Sequence, residues 1–325
     1  MSLKILYAGS PDAAAKTLEI LYQNQGQYEI VGVLSNPASA KGRHKDLIPT
    51  PVAAFALEKN IPLFTPEHLD SAVREEIKPL SADLLVCFAY GHIFGPKFLA
   101  SFPLGGINLH PSLLPKYRGC TPVNAAILNG DSQTAISIQT LSLKMDEGDI
   151  LAQEIVELNG NERADELLNY CAQKGAQLIV NLLNKSSNDG KLPQGKVQGG
   201  QPSYTGIITK EDGKINWNDS AKAISARIRA YYPEPGCWCM EKINNQESPL
   251  RILAAKFISD NNSLLEEYSS AQVGQVLAFV KAQGILIKTG DGILCVTELQ
   301  RQGKKAMMYK DFMNGARDFI GSILL

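Results

Sequence analysis

Short apolar runs alternate with amphipathic stretches through the first half of this chain, and that alternation constrains its fold more than any other feature. KILYAG (4–9) and YEIVGVLS (28–35) read as buried strands, with a helix from Asp12 to about Tyr22 between them. DLLVCFA (83–89), GGINLH (105–110) and TAISIQTLS (134–142) continue the strand series. Helical patterns fall at 51–59, 68–77, 121–129 and 163–183. Strands separated by helices point to parallel βαβ units, because a parallel connection needs a crossover long enough to hold a helix. The expected class is α/β, with an N-terminal Rossmann-like, mostly parallel sheet carrying helices on both faces.

The pattern breaks at Asn184. Residues 184–206 are rich in Gly, Ser, Asn, Gln and Pro without an apolar period, which reads as a linker. Beyond it, short strands recur at even spacing: WCM (238–240), RILAAKFI (251–258), GQVLAFV (274–280), GILIKTG (284–290) and GILCVTEL (292–299). That spacing suggests a small C-terminal β-barrel or sandwich, preceded by a helix at 219–231 and closed by one near 309–318. The expected division is therefore 1–183, a linker at 184–206, and 207–325, in keeping with two domains for 325 residues.

Composition narrows the functional classes. A mean hydropathy of −0.10 and the lack of an apolar run near ~20 residues argue against a membrane-spanning helix. The opening MSLKILYAGSPD has too short an apolar stretch for a secretory signal, so a cytoplasmic location is expected. Six cysteines in this length are too few for a disulfide scaffold and read as reduced thiols. The net charge of −1 excludes strong whole-molecule attraction to nucleic acid. It divides as +2 over residues 206–325 and −3 before them, and Arg301, Lys304, Lys305 and Lys310 fall within ten residues.

Several familiar signatures are missing. The first strand–helix turn, AGSPDAAAKTL, is not GxGxxG, and the chain has neither GxxxxGK[ST] nor GxSxG. Cys237 and Cys239 have no second pair to complete a metal site, and no metal is expected. What stands out is GINLHPSLLPKYRG (106–119), an apolar strand ending in Asn108-x-His110 before a Pro-bracketed loop. Alternation places Asn108 and His110 on one side of that strand, at the end where open α/β sheets hold their ligands. Met145-Asp146-Glu147-Gly148-Asp149-Ile150 then offers a carboxylate in a Gly-containing turn after the next strand. An amide donor, an imidazole and a carboxylate suit acyl transfer without a covalent intermediate. Ser112 lacks a nucleophile elbow, and Cys120 lacks any signature of a basic partner.

Asn108-x-His110, the following SLLPKYRG, and Asp146 in MDEGDI resemble the motif set of the 10-formyltetrahydrofolate-dependent formyltransferases. Three further stretches are similar to the branch whose acceptor is methionine carried by initiator tRNA. They are the basic loop KGRHKDLIPTPV (41–52), RIRAYYPEPGCW (227–238) and LQRQGKKAM (299–307), with GSPD (9–12) at the first strand–helix junction. The resemblance spans nearly the whole chain and is strongest at 106–119 and 145–150.

The resemblance implies an enzyme of translation initiation. The methionine α-amine would attack the formyl carbon of 10-formyltetrahydrofolate directly, through a tetrahedral intermediate. Asn108 and His110 would face the oxyanion, while Asp146 would hold the imidazole and assist proton removal. Ser112, Leu113, Leu114 and Pro115, with the backbone of Phe88, Ala89, Tyr90 and Gly91, would line the folate pocket. Residues 1–183 would be the catalytic domain. Residues 207–325 would be an OB-like tRNA-binding domain, a fold that commonly meets oligonucleotides. Lys41, Arg43 and Lys45, with Arg301, Lys304 and Lys305, would contact tRNA mainly at phosphates. The enzyme would act as a monomer, with no membrane and no metal.

The alternative of the same chemistry is a sugar-nucleotide amine formyltransferase, which can carry a similar second domain. Glycinamide-ribotide formyltransferases are typically one domain long, so the second half argues against them. A non-catalytic OB-type nucleic-acid binder leaves Asn108, His110 and Asp146 unexplained. A nicotinamide dehydrogenase fails for want of the Gly-rich turn.

Overall fold

The computed structural model describes residues 2–41, 46–244, 246–258 and 266–325. Two compact units emerge, one of Met1–Val123, Gln133–Leu158 and Glu166–Gly206, the other of Asn124–Ser132, Asn159–Asp165 and Ile207–Leu325. The chain begins β1 (Leu3–Gly9), α1 (Asp12–Gln23), β2 (Tyr28–Leu34), β3 (Ser39–Lys41), β4 (Asp46–Ile48), α2 (Pro51–Glu58) and β5 (Leu63–Phe64). It continues α3 (Ser71–Ile77), β6 (Leu84–Phe88), α4 (Pro96–Leu99), β7 (Gly106–His110), β8 (Arg118–Gly119) and α5 (Pro122–Leu128). Then follow β9 (Gln133–Thr140), β10 (Ile150–Glu157), α6 (Ala164–Asp189) and β11 (Tyr204–Thr205).

Seven strands of the first unit form one sheet in the order β10–β9–β7–β6–β1–β2–β5. The five from β7 to β5 are parallel, as expected, whereas β9 enters antiparallel to β7 and β10 antiparallel to β9. A run of apolar residues reads alike in either direction, so the sequence carried no sign of that reversal. Strand β10 escaped the apolar pattern because, at the sheet edge, only Val156 is fully buried. The chain builds outward from β1 to β5, then returns to place β6 and β7 on the other side of β1. Ligands of such sheets gather at the carboxyl ends of strands flanking that switch.

Helices cover both faces because alternate residues of β1 are buried on opposite sides. Leu6 and Ala8 join a core with Val73 and Ile77 of α3 and with Phe94, Phe98 and Phe102. Tyr7 faces the other way and donates its hydroxyl to the Ala14 carbonyl of α1 at 2.7 Å. On that face Thr17 of α1 reaches the Ala172 carbonyl of α6 at 3.2 Å. Each fully buried Leu or Ile contributes about 1.5–3 kcal/mol, and β1 alone supplies Ile5 and Leu6. Side-chain caps start α2 and α3: Thr50 accepts from Ala53 N at 3.1 Å, and Asp70 accepts from Ala72 N at 2.9 Å.

The expected linker is more structured than its composition suggests. Helix α6 runs through its first residues to Asp189, burying Leu183 and Ser186. Farther on, Lys196 exchanges two backbone bonds with Ile150, both 2.8 Å, and β11 pairs in parallel with β8. These anchors are backbone bonds, which leave no apolar period to read.

The second unit adds α7 (Ala221–Ala230), β12 (Cys237–Ile243), β13 (Gln246–Phe257), β14 (Val276–Val280), β15 (Gly284–Lys288), β16 (Ile293–Arg301), β17 (Met307–Met308) and α8 (Tyr309–Asn314). Its antiparallel sheet has the order β12–β13–β16–β15–β14, with β17 on β16, and curls into a half-barrel. Helix α7 lies on β13, where Ser225 donates to the Ala255 carbonyl at 3.2 Å. Helix α8 is shorter than expected, ending at Asn314.

Gly175 lets α6 approach the sheet closely. A Cβ there would fall 2.3 Å from Leu109 Cδ1 and 3.1 Å from Ile136 Cγ2. Alanine favours a helix interior by about 1 kcal/mol over glycine, yet Gly175→Ala should destabilise the protein by about 1–3 kcal/mol through overpacking. Urea unfolding measures this, and an unchanged or raised midpoint would contradict the close-approach account.

Candidate active site

Strand β7 brings Asn108 and His110 to its carboxyl end between two neighbours, with Asn108 beside Cys87 of β6 and Gln139 of β9. Two residues apart on an extended chain, both side chains face the turn between β9 and β10. Asp146 in that turn lies with Oδ2 3.6 Å from His110 Nδ1 and Oδ1 3.5 Å from Asn108 Nδ2. The structure thus brings all three expected chemical residues together. His110 is 4% exposed, so the cluster sits largely out of water.

Asp146 adopts φ +53°, a left-handed conformation that costs a non-glycine residue about 1–3 kcal/mol. Its surroundings hold it there. Gln139 Nε2 donates to Oδ1 at 2.8 Å, and the Gly119 backbone N–H donates to Oδ2 at 2.8 Å. Gly148 closes the turn so tightly that a Cβ would lie 1.7 Å from the Thr140 carbonyl oxygen. Asp149 and Thr140 then exchange bonds, N to Oγ1 and N to O, both at 2.9 Å.

His110 Nε2 lies 2.9 Å from the Tyr117 carbonyl oxygen. A carbonyl can only accept, so Nε2 carries the proton and Nδ1 faces Asp146. Burial lowers the His110 pKa from its ordinary value, with Asp146 and the Tyr117 carbonyl acting against that shift. The imidazole is therefore neutral near pH 7, with its Nδ1 lone pair toward the cluster. The 3.5 Å contact of Asn108 is at the limit of a hydrogen bond, leaving its amide donors available to a closer partner.

Neither Ser112 nor Cys87, the hydroxyl and thiol flanking this arrangement after β7 and on β6, is poised as a nucleophile. The Ser112 hydroxyl is fully buried and donates to the Lys116 carbonyl at 2.6 Å. Burial pushes the Cys87 thiol up to about 12, far from thiolate character. What remains is a donor, a proton acceptor and a carboxylate, a set suited to acyl transfer between two bound substrates.

The residues expected at the folate pocket lie on either side of Asn108 and His110 in sequence. Phe88 and Tyr90 turn their rings into the core, Tyr90 stacking on Phe94 with centroids 5.5 Å apart. Ala89 and Gly91 are exposed and take left-handed conformations, φ +49° and +89°, so this segment presents backbone more than side chain. Of the other four, Ser112, Leu114 and Pro115 are buried, and Leu113 alone is half-exposed. Asn36 donates to the Tyr90 carbonyl at 3.1 Å, while its buried Oδ1 has no protein partner.

The residues expected to meet tRNA separate into three cases. Lys41 ends β3, and Arg43 and Lys45 lie outside the described residues. Lys304 and Lys305 are exposed in the turn between β16 and β17. Arg301 is paired within its own unit: its guanidinium grips Glu241 through bonds of 2.8 and 2.9 Å and lies 4.6 Å over the Phe312 ring. Glu241 is 3% exposed, so that pair neutralises a buried charge, while the Arg301 side chain keeps 30% of its surface exposed.

Gln139, Gly119 and Tyr117 were not among the expected residues, although they set the geometry of the three that were. Gln139, 1% exposed within the apolar strand 134–142, carried a readable signal, a polar side chain where the strand is buried. Backbone groups such as Gly119 N–H and Tyr117 C=O carry none. Among the described residues, no group of three His, Cys, Asp or Glu side chains could hold a metal ion. None of the described helices is long and apolar enough to cross a membrane.

Residues 1–183 match the formyl transferase family, and residues 207–317 match the formyl transferase C-terminal domain. A curated relative, the methionyl-tRNA formyltransferase of Treponema denticola, is 42% identical over 327 residues, covering 98% of each chain. An N-formyltransferase from Helicobacter canadensis, solved with folinic acid and dTDP-3-aminofucose, shares the fold (TM-score 0.61, 20% identity, 90% of this chain and 99% of that one). So does HypX from Aquifex aeolicus (TM-score 0.61, 14% identity, 98% of this chain), of which this chain spans half the length. On the match to the family and the full-length relative, this chain belongs to the formyl transferases.

Proposed function

We propose that this enzyme transfers the formyl group of 10-formyltetrahydrofolate to the α-amine of methionyl initiator tRNA, acting as a cytoplasmic monomer in translation initiation. The observation that carries the reading is the Asp146 carboxylate, 3.6 Å from His110 Nδ1 and 3.5 Å from Asn108 Nδ2, at a strand end of a formyl transferase. The full-length relative named for methionyl-tRNA supports that acceptor, whereas sugar formyltransferases are similar only at the level of fold. In this reading residues 1–183 hold the catalytic machinery and 207–325 meet the tRNA, with 184–206 between them.

The folate substrate supplies an activated formyl carbon and a nitrogen leaving group. Asn108 Nδ2 donates to the oxyanion that develops as the amine adds. Because the Nε2 proton of His110 is committed to Tyr117, we assign His110 to proton transfer rather than to the oxyanion. Its Nδ1 accepts a proton from the attacking amine and delivers one to the departing folate nitrogen. Asp146 stabilises the imidazolium formed between those two events, the electrostatic service a carboxylate gives a catalytic histidine. The unpartnered Asn36 Oδ1 and the exposed backbone at Ala89 and Gly91 fit a polar heterocycle bound near Leu113. On the second unit, Lys304 and Lys305 contribute phosphate neutralisation, which is salt-dependent and blind to sequence.

Asn108→Ala should lower turnover at least a hundredfold, since losing one oxyanion donor typically costs about 2.7–4 kcal/mol. His110→Ala should do the same, since a positioned general acid–base typically contributes about 100- to 10,000-fold. Formylation of methionyl-tRNA from labelled 10-formyltetrahydrofolate, with a dTDP-amino sugar as competing acceptor, measures this. Preferential labelling of the sugar, or near-normal turnover by either variant, would refute the reading.

The pH profile follows from the buried neutral imidazole. A depressed His110 pKa means the base form persists below the ordinary value of 6.5, so activity holds above that pH and fails only beneath it. The acid limb of kcat/KM should therefore have its midpoint below 6.5. A midpoint above that value would show that His110 rests protonated. Replacing Lys304 and Lys305 together by Ala should raise KM for tRNA severalfold at low salt, with folate KM unchanged. An equal rise in both KM values would remove these lysines from the RNA-facing surface.

A further inference from the structure

The residue that ties the Asp146 turn together comes from the polar stretch after α6, where no chemical motif lies. Gln198 Nε2 sits 2.7 Å from the Asp146 carbonyl oxygen, 2.8 Å from that of Gly148 and 3.2 Å from Gln139 Oε1. Its Oε1 accepts from Arg118 Nη2 at 2.8 Å and from Nε at 3.2 Å. One amide thus spans both ends of the left-handed Asp146 turn and the loop that follows His110.

Neither end of that amide can be reversed. Backbone carbonyls only accept, so the NH2 group of Gln198 must face Asp146 and Gly148. A guanidinium only donates, so the oxygen must face Arg118. With a donor fixed in front of it, Gln139 turns its own oxygen toward Gln198 and its NH2 group toward Asp146 Oδ1, 2.8 Å away. The reverse orientation would set an amide oxygen against the carboxylate and two NH2 groups against each other. Gln198 is thus the joint through which the donating Arg118 and the accepting carbonyls and carboxylate agree on one polarity.

We propose that Gln198 is a positioning residue for formyl transfer, orienting Gln139 and bracing the Asp146 turn so that the carboxylate stays aimed at His110. The backbone places it without help from substrate: Lys196 is bonded to Ile150 on one side, and β11 is paired to β8 on the other. Ser203 reinforces the second anchor, its Oγ accepting from Tyr117 N at 2.9 Å, in the residue whose carbonyl holds His110. The charged groups around the turn are Asp146, Glu147, Asp149, Arg118 and Lys144, with Arg118 and Lys144 paired to Glu147 at 3.0 and 3.7 Å. Losing Gln198 leaves those pairs in place and releases the Asp146 and Gly148 carbonyls, the Gln139 amide and the Nε and Nη2 donors of Arg118.

This inference rests on the catalytic reading of Asp146 and His110, and its test separates the two. Gln198→Ala and the similarly sized Gln198→Met should be made in the full chain, with the exposed Gln201→Ala as control. Misplacement of a catalytic group by 1 Å can cost about a hundredfold, so kcat should fall by at least tenfold in both variants. KM for each substrate should stay within threefold, and Gln201→Ala should match wild type. An activity-independent readout is the nitrogen-15 titration of the His110 ring, assignable among only four histidines. Its midpoint should fall in both variants, because the Asp146 charge that raises it is no longer held in place. Unchanged kcat in a folded Gln198→Met protein, a raised KM at unchanged kcat, or an unmoved His110 midpoint would each overturn the proposal. If wild type proves unable to formylate methionyl-tRNA while the His110 midpoint still moves, the acceptor assignment falls and the positioning role stands.

Discussion

The Asp146 carboxylate draws its partners from separate segments: the Gln139 amide of β9, the Gly119 N–H of β8 and, at longer range, Asn108 of β7. A carboxylate taken out of water must recover its lost hydration from fixed donors, or its burial costs several kcal/mol. Here those donors also fix its direction. The left-handed backbone at residue 146, the tight passage at Gly148 and the bonds between Asp149 and Thr140 would be strain without purpose in a plain hairpin. They make sense as the means of bringing a charge to the side of an imidazole.

That imidazole is defined as much by what it cannot do as by what it can. Tyr117 occupies the Nε2 proton, and burial keeps the ring neutral, so its reactive capacity is concentrated at Nδ1. Asn108, held only loosely, keeps donors for an oxyanion. A neutral acceptor, an amide donor and a nearby negative charge divide the labour of transferring an acyl group to an amine. None of them needs to bond covalently to the substrate. Buried Ser112 and the raised thiol of Cys87 agree with that division.

The second unit shows how far a cluster of basic residues underdetermines their roles. Arg301, Lys304 and Lys305 stand together in sequence, yet Arg301 closes a bidentate pair on buried Glu241 while the lysines remain in solvent. A planar guanidinium matches a carboxylate through two bonds, which favours it for a buried partner, whereas lysine heads are strongly hydrated. Sixty residues separate Arg301 from Glu241, so no local pattern announces the pair.

Periodicity alone was enough for most of the strands and helices of both halves, for the mainly parallel sheet, and for Asn108 and His110 sharing a face. Each follows from side-chain repeats within a few residues of chain. Edge strand β10, the reversed entry of β9 and the ordered stretch after α6 escaped that reading, since they rest on backbone pairing or on burial of one face only. The same boundary runs through the site. Sequence by itself determined which side chains could carry the chemistry, because their spacing on a strand and in a Gly-bearing turn is local. Tertiary structure alone decided which nitrogen of His110 carries the proton, which donors hold Asp146, and that Arg301 pairs with Glu241. Those outcomes depend on hydrogen bonds 7 positions apart that no regular repeat implies, from Tyr117 to His110 and from Gln139 to Asp146, and on others 27, 38 and 60 positions apart, and such partners meet only when the chain has folded.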